Sequence, residues 1–192
     1  MYTSREEWLN AFIDAARPKF AEFGTPLPIN VRIAVGFTSR GSRGQRIGEA
    51  WSSDASGDGH FEIFIKPTLA DVSRICDVLT HELVHVAVGL AAGHGPAFRR
   101  LAMQLGLGGA MTATEAKAEW YKWASPIIAA LGPLPYAPLE GGISSSRKKQ
   151  DTYLLKAVCS DCGWTARITR KHVHADMLCP IRNCSGSLET EE

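Results

Sequence analysis

His81-Glu82-Leu83-Val84-His85, with His94 nine residues further on, constrains this chain more than any other feature. On a helix, residues four apart lie about 40° apart around the axis, so His81 and His85 aim their imidazoles the same way and offer two converging ligands. Glu82 sits about 100° round from His81, badly placed as a third ligand but able to reach a water on the metal. That is the H-E-x-x-H arrangement of zinc peptidases, with Glu82 as general base.

The segment 68–88 reads as one helix, with Val72, Cys76, Leu79, Leu83 and Val86 recurring at steps of three and four. Thr68, after Pro67, is its expected N-cap, and Asp71 then falls at N3, where a carboxylate suits the positive helix end. His94 cannot meet the pair on an unbroken helix, because nine residues beyond His85 amount to about 900° and place it on the opposite side. Gly89 and Gly93 supply the break, and Pro96 at a first helical position opens a second helix through Leu105. The chain can then turn back and bring His94 in as the third ligand. A metzincin would need Gly and His where Val88 and Ala91 stand, which excludes that pattern. A thermolysin-like site would take Glu115 or Glu119 from the next helix. His94 is preferred because turn residues flank it, and the two glutamates stay as the alternative.

With 192 residues, 45% of them hydrophobic, the chain can bury one good core and carry a small appendage. A net charge of +1 excludes polyanion binding by bulk electrostatics. The first residues lack a basic segment followed by an apolar run, and no stretch reaches about eighteen consecutive apolar residues. The expectation is a cytoplasmic monomer without a membrane partner. In such reducing surroundings clustered cysteines bind metal more often than they pair.

The expected fold class is α+β, a small sheet packed on the H-E-x-x-H helix and further helices, followed by a small C-terminal zinc ribbon. Ser4 with Glu7 forms a capping box for a helix carrying Trp8, Phe12 and Phe20, which Pro18 ends or kinks. Segments 29–37, 45–51 and 60–66 read as three strands. The loop 38–44 between the first two, with Arg40 and Arg43, is either a phosphate contact or a solvated hairpin tip. The turn 54–59 superficially resembles a calcium loop but lacks the full ligand set, so it reads as a plain turn with His60 at the surface beside it. Thr112 with Glu115 caps a further helix through Trp120 and Trp123 to Ala130, and its aromatics read as packing residues. Cys76 reads as a small buried side chain.

Residues 133–150 are Pro-rich, then Gly/Ser-rich and basic, and form the expected linker between a domain 1–132 and a domain 151–192. Within the latter, Cys159-x-x-Cys162-Gly and Cys179-Pro-x-x-x-Cys184 are separated by sixteen residues, the spacing of a zinc ribbon, and Gly163 suits a tight knuckle. Its 42 residues are too few for a self-sufficient core, so bound zinc would supply much of the folding free energy. The second knuckle holds four intervening residues where two are usual, which leaves His172 or His174 as an alternative ligand. From 143 to 182 there are eight Lys and Arg against three Asp, a local net charge of +5. Arg147, Lys148, Lys149, Arg167, Arg170 and Lys171 are accordingly candidate contacts to nucleic acid.

His81-Glu82-Leu83-Val84-His85 followed by Gly93-His94-Gly95-Pro96-Ala97-Phe98 resembles the SprT-like metalloprotease domain, shared by bacterial SprT proteins, the DNA-repair protease Spartan and many phage proteins. The resemblance, nearest to the phage and actinobacterial branch, extends upstream to 47–51 and 61–67 and downstream to the cysteine ribbon. It implies a catalytic zinc on His81, His85 and His94, catalysis by Glu82, and a structural zinc in the ribbon. It also implies a protein substrate near or crosslinked to DNA.

The reaction expected from these residues is metal-assisted peptide hydrolysis, in which zinc on three neutral imidazoles lowers the pKa of a water and Glu82 takes its proton. Two other classes remain open: a zinc-dependent DNA-binding or transcription-associated protein with a vestigial protease site, and a phage host-interaction factor using the fold as a docking scaffold.

Overall fold

Trp8, Phe12, Ala16 and Phe20 recur every four residues and are fully buried, and this stripe fixes α1, Arg5–Glu22, against the core. The computed structural model describes residues 2–140 and 154–191, which fall into two units joined through the residues between them. At the start of α1, Ser4 Oγ accepts the Glu7 N–H at 3.1 Å, while the Glu7 carboxylate reaches back to Thr3 N at 2.8 Å. Of the two outcomes expected at Pro18, an end or a kink, the first does not occur. Pro18 is exposed, and burial of Ala16 and Phe20 on the opposite face carries the helix past the one missing N–H.

Three short strands follow: β1 (Val31–Val35), β2 (Gly48–Trp51) and β3 (Phe61–Ile65). Their order is β1-β3-β2, with β3 in the centre, parallel to β1 and antiparallel to β2. The loop carrying exposed Arg40 and Arg43 is therefore not a hairpin tip, because the strands it joins are not neighbours. Ile63 and Ile65 on β3 are buried towards the helices, and β2 is left as an edge strand.

Helix α2 (Val72–Val88) is the centre of this unit, packed by α1, by β2 and β3, and by three later elements. Its cap is Asp71 rather than Thr68. The Asp71 carboxylate accepts the Arg74 N–H at 2.6 Å, and Thr68 lies exposed in the turn before it. Aspartate caps at least as well as threonine, and the apolar periodicity begins only at Val72. Gly89 ends α2 at φ +85, and α3 (Pro96–Gln104) begins with proline at its first position.

The largest departure from expectation follows α3. Residues 107–116 form a hairpin of β4 (Leu107–Ala110) and β5 (Ala113–Ala116), and α4 (Ala118–Leu131) starts only after it. Thr112 is thus a turn residue and not a helix cap. Gly106 before the hairpin has φ +83, and a Cβ there would lie 2.2 Å from Trp120 N, so only glycine permits this junction. Trp120 is buried with its Nε1 donating to Thr80 Oγ1 at 3.0 Å, and Trp123 Nε1 donates to Leu105 O at 2.9 Å, so both are packing residues. Beyond α4, Trp8 Nε1 bonds Gly132 O, Leu139 N bonds Pro67 O at 2.8 Å, and the Tyr136 hydroxyl donates to the same carbonyl. The proline-rich segment through residue 139 thus lies on the first unit.

The second unit is an antiparallel sheet of β6 (Leu154–Cys159), β7 (Thr165–Thr169) and β8 (Leu188–Glu191) in the order β7-β6-β8. Four cysteines gather at one end of it, consistent with a zinc ribbon. The fold class is α+β, with four α-helices and three small sheets among the described residues. No helix among them is long and apolar enough to cross a membrane.

The cap assignment has a direct test. Asp71→Ala should lower the unfolding free energy by about 1 kcal/mol in urea titrations, whereas Thr68→Ala should change it by less than about 0.5 kcal/mol. A larger loss at Thr68 than at Asp71 would refute it.

Candidate metal centre

Arg74, Val78, His81 and His85 fall within about 60° of one another on α2, so one stripe of this helix floors a cavity of about 540 Å³. His94 enters from the loop after α2, where Gly93 at φ +49 makes the return turn. The three Nε2 atoms converge: His85 to His94 is 3.2 Å and His94 to His81 is 3.3 Å. Tetrahedral bonds of about 2.0–2.1 Å to a zinc-sized ion set neighbouring nitrogens about 3.3 Å apart, so the trio fits one ion. Phe98, fully buried on α3, packs its ring against all three imidazoles at 4.8, 4.4 and 4.9 Å between centroids.

Electrostatics suit ligation. Burial pushes His81 down to about 3, helped by the neighbouring His85 and His94, and pushes His85 down to about 4. His94, the most exposed of the three, is also lowered, first by burial. The imidazoles are thus held neutral, the form that binds metal. His81 carries one further constraint. Its Nδ1 lies 2.8 Å from Thr114 Oγ1 on β5, so with an ion on Nε2 the Nδ1–H would donate to that hydroxyl.

Thr114 is the site residue that reading the sequence misses, since the Thr112-x-x-Glu115 pattern draws 112–115 into a helix start. Gly106, Gly108 and Gly109, unfavourable in a helix, were the available signal for a hairpin, in which Thr114 faces inward. Asp77, only 5% exposed, anchors this hairpin to α2. Its carboxylate accepts from Arg74 Nη1 at 2.8–2.9 Å and from Ala116 N at 3.2 Å, while Arg74 Nη1 also reaches Thr114 O at 3.2 Å.

Glu82 lines the same cavity and is 7% exposed. Burial pushes its carboxyl up to about 8, against the opposing pull of Arg46 and of a backbone N–H from Ala50. A Cβ on Gly48 would lie 2.6 Å from Glu82 Oε1 and 2.6 Å from Val78 Cγ1, so the absence of a side chain there lets edge strand β2 close against α2.

The other candidates sort by position. The carboxylates of Glu115 and Glu119 are largely exposed and pair with Lys117 and Lys122, outside the histidine trio. His60 is partly exposed beside Asp58, whose carboxylate is engaged by Ser56 and Arg32 and held well below its usual range. Cys76 is fully buried, which raises its thiol pKa.

In the second unit, Cys159, Cys162, Cys179 and Cys184 place their sulfurs within 4.8 Å of one another. Cys159 to Cys184 and Cys162 to Cys179 are each 3.6 Å, too long for a disulfide at about 2.05 Å and near the roughly 3.8 Å between sulfurs on a shared tetrahedral ion. Backbone N–H groups of Cys162 and Asp161 point at Cys159 Sγ and hold that thiol down to about 6. Gly163 sits at φ +70 in the first knuckle, and a Cβ on Gly186 would lie 2.5 Å from Cys159 Sγ. His172 is exposed and bonds Thr169 Oγ1, and His174 is exposed. Arg167 is exposed on β7, and Arg170 and Lys171 are exposed in the turn after it. Arg147, Lys148 and Lys149 lie outside the described residues.

Comparison of the chain with protein-family models, with curated proteins and with solved structures gave no match.

Because the Thr114 hydroxyl bonds His81 Nδ1 and holds the ring in place, Thr114→Val should weaken metal binding at the histidine trio by about 10–100-fold in competition with a chelator. Glu115→Ala and Glu119→Ala should leave it unchanged. Metal loss in either glutamate variant, with Thr114→Val binding normally, would overturn this account of the site.

Proposed function

We propose that this chain is a zinc-dependent metallopeptidase of SprT-like type, with one catalytic zinc on His81, His85 and His94 and one structural zinc on Cys159, Cys162, Cys179 and Cys184. The observation that supports it most is the convergence of three neutral imidazoles beside a buried Glu82 in one open cavity. Bound there, zinc supplies Lewis acidity that polarises a peptide carbonyl and makes a water more acidic. Glu82 accepts the proton of the attacking water on a carboxylate oxygen and returns it to the departing amine nitrogen. Burial raises its carboxyl, a zinc dication beside it would favour the ionised form that accepts the proton, and the Ala50 N–H keeps it oriented. Phe98 excludes water from one side of the imidazoles, and Thr114 holds the His81 ring in place.

Exposed Arg167, Arg170 and Lys171 on the ribbon support contact with nucleic-acid phosphates, which would place the substrate among DNA-associated or DNA-crosslinked proteins. A cytoplasmic location keeps the four thiols available for metal.

Two measurements test the reading. Purified protein should contain two zinc ions per chain by elemental analysis, and Cys159→Ser with Cys162→Ser, or His94→Ala alone, should each remove one. Glu82→Gln should keep both ions and lose at least about 100-fold of casein-cleaving activity. A zinc-loaded chain that cleaves no protein, with or without DNA, refutes the peptidase reading.

A further inference from the structure

Two arginines lie in the wall of the metal cavity: Arg46, just before β2, and Arg74, two turns upstream of His81 on α2. Each is held by a carboxylate more buried than itself. Arg46 Nη1 bonds Glu49, whose carboxylate is 8% exposed against 46% for the Arg46 side chain. Arg74 Nη1 bonds Asp77, 6% exposed against 35%. Glu49 is satisfied independently by Ser39 N at 2.7 Å and Ser39 Oγ at 2.6 Å, and these bonds with Arg46 outweigh burial and keep it ionised. The negative partners are therefore turned inward and the cations outward. A guanidinium carries five N–H donors, and beyond Nη1 the donors of both arginines make no bond among the described residues.

The two cations bracket the trio. Arg46 is near enough to Glu82 and His94 for its charge to be felt at both, and Arg74 is felt at His81 and touches the strand that orients it. Each guanidinium is paired through Nη1, so a ligand entering the cleft, whose floor could hold a dication, meets the remaining N–H donors of two arginines although the whole chain carries only +1. Guanidiniums locked by buried partners are pre-organised for planar, two-oxygen anions, so little ordering entropy is lost on binding them.

We propose that Arg46 and Arg74 are substrate-binding residues that make this cleft select peptides with Asp or Glu side chains flanking the scissile bond. The proposal rests on the peptidase reading for the word scissile, but the binding preference stands apart from cleavage. A peptide carboxylate is favoured over a nucleic-acid phosphate because both arginines line the same cavity as the histidines and Glu82.

The test measures binding, by fluorescence anisotropy, of labelled peptides that differ only in Glu against Gln. The protein is the zinc-loaded full chain carrying Glu82→Gln. The Glu peptide should bind roughly tenfold more tightly than its Gln counterpart, as expected for one charge-assisted pair. Adding Arg46→Gln should reduce that ratio to about one while circular dichroism and zinc content stay unchanged. Arg46→Lys, which keeps the charge but loses the fork, should give an intermediate ratio. Arg74→Gln should also lower the ratio, read independently of any effect on metal affinity through Thr114. Equal binding of the two peptides overturns the proposal. So does a preference that survives Arg46→Gln and Arg74→Gln, which would mean that the acidic side chain binds the metal directly. Displacement of the peptide by a short oligonucleotide of equal charge would assign the cleft to phosphate and overturn it as well. A Glu preference without cleavage by the unmodified chain would refute the peptidase reading and leave this one standing.

Discussion

Everything at the metal centre depends on α2 being packed on nearly all sides while one stripe stays open. Ile75, Cys76, Leu79, Leu83 and Val86 are buried among α1, α4 and the sheet, and Arg74, His81 and His85 on the remaining stripe are only partly covered. Each large apolar side chain in that seam contributes about 1.5–3 kcal/mol by leaving water, and together they hold the helix against rotation. A few degrees of roll would move both imidazoles off a common point, so the burial of one face sets the aim of the other.

Around that helix the site is completed by elements distant in sequence and joined by polar bonds. Asp77 is a buried carboxylate inside an otherwise apolar seam, which is unfavourable unless its lone pairs are filled. Arg74 and Ala116 N fill them, and doing so docks β5 where Thr114 meets His81. On the opposite wall, Gly48 lets β2 approach until Ala50 N reaches Glu82. The histidines supply the nitrogens, but a hairpin and an edge strand orient the His81 ring and set where the Glu82 carboxylate points.

The histidine trio was legible in the sequence because helical spacing and turn residues are local signals. His81 and His85 follow from a step of four, and His94 from Gly89, Gly93 and Pro96, and the structure brings these three together. The four cysteines were legible for the same reason. Thr114 was not, since Thr112-x-x-Glu115 has the same form in a helix cap and in a hairpin, and the choice is made by the bond from Ala116 N to Asp77, 39 residues of chain away. The order β1-β3-β2 was equally hidden: β2 and β3 pair as neighbours in sequence usually do, but β1 skips β2 to lie parallel to β3, a long-range pairing that no local signal marks. Pro18 misleads because a missing N–H is a local defect, whereas Ala16 and Phe20 on either side of it are fixed by the core.

The two units reach the same end by different means. The first has a full apolar core, so its metal trio is held in place by packing that does not need the ion. The second buries little beyond Ala157 and two of its cysteines, and its knuckles depend on N–H groups aimed at Cys159 and on space left by Gly186. In the first unit, then, the fold pre-forms the site and leaves an open cavity beside it. In the second, a shared ion closing four sulfurs would itself be a large part of the core. An ion with free access on one side would suit reaction chemistry, and one enclosed by four thiols would suit structure, so what surrounds the two sites, rather than the ion, limits what each could do.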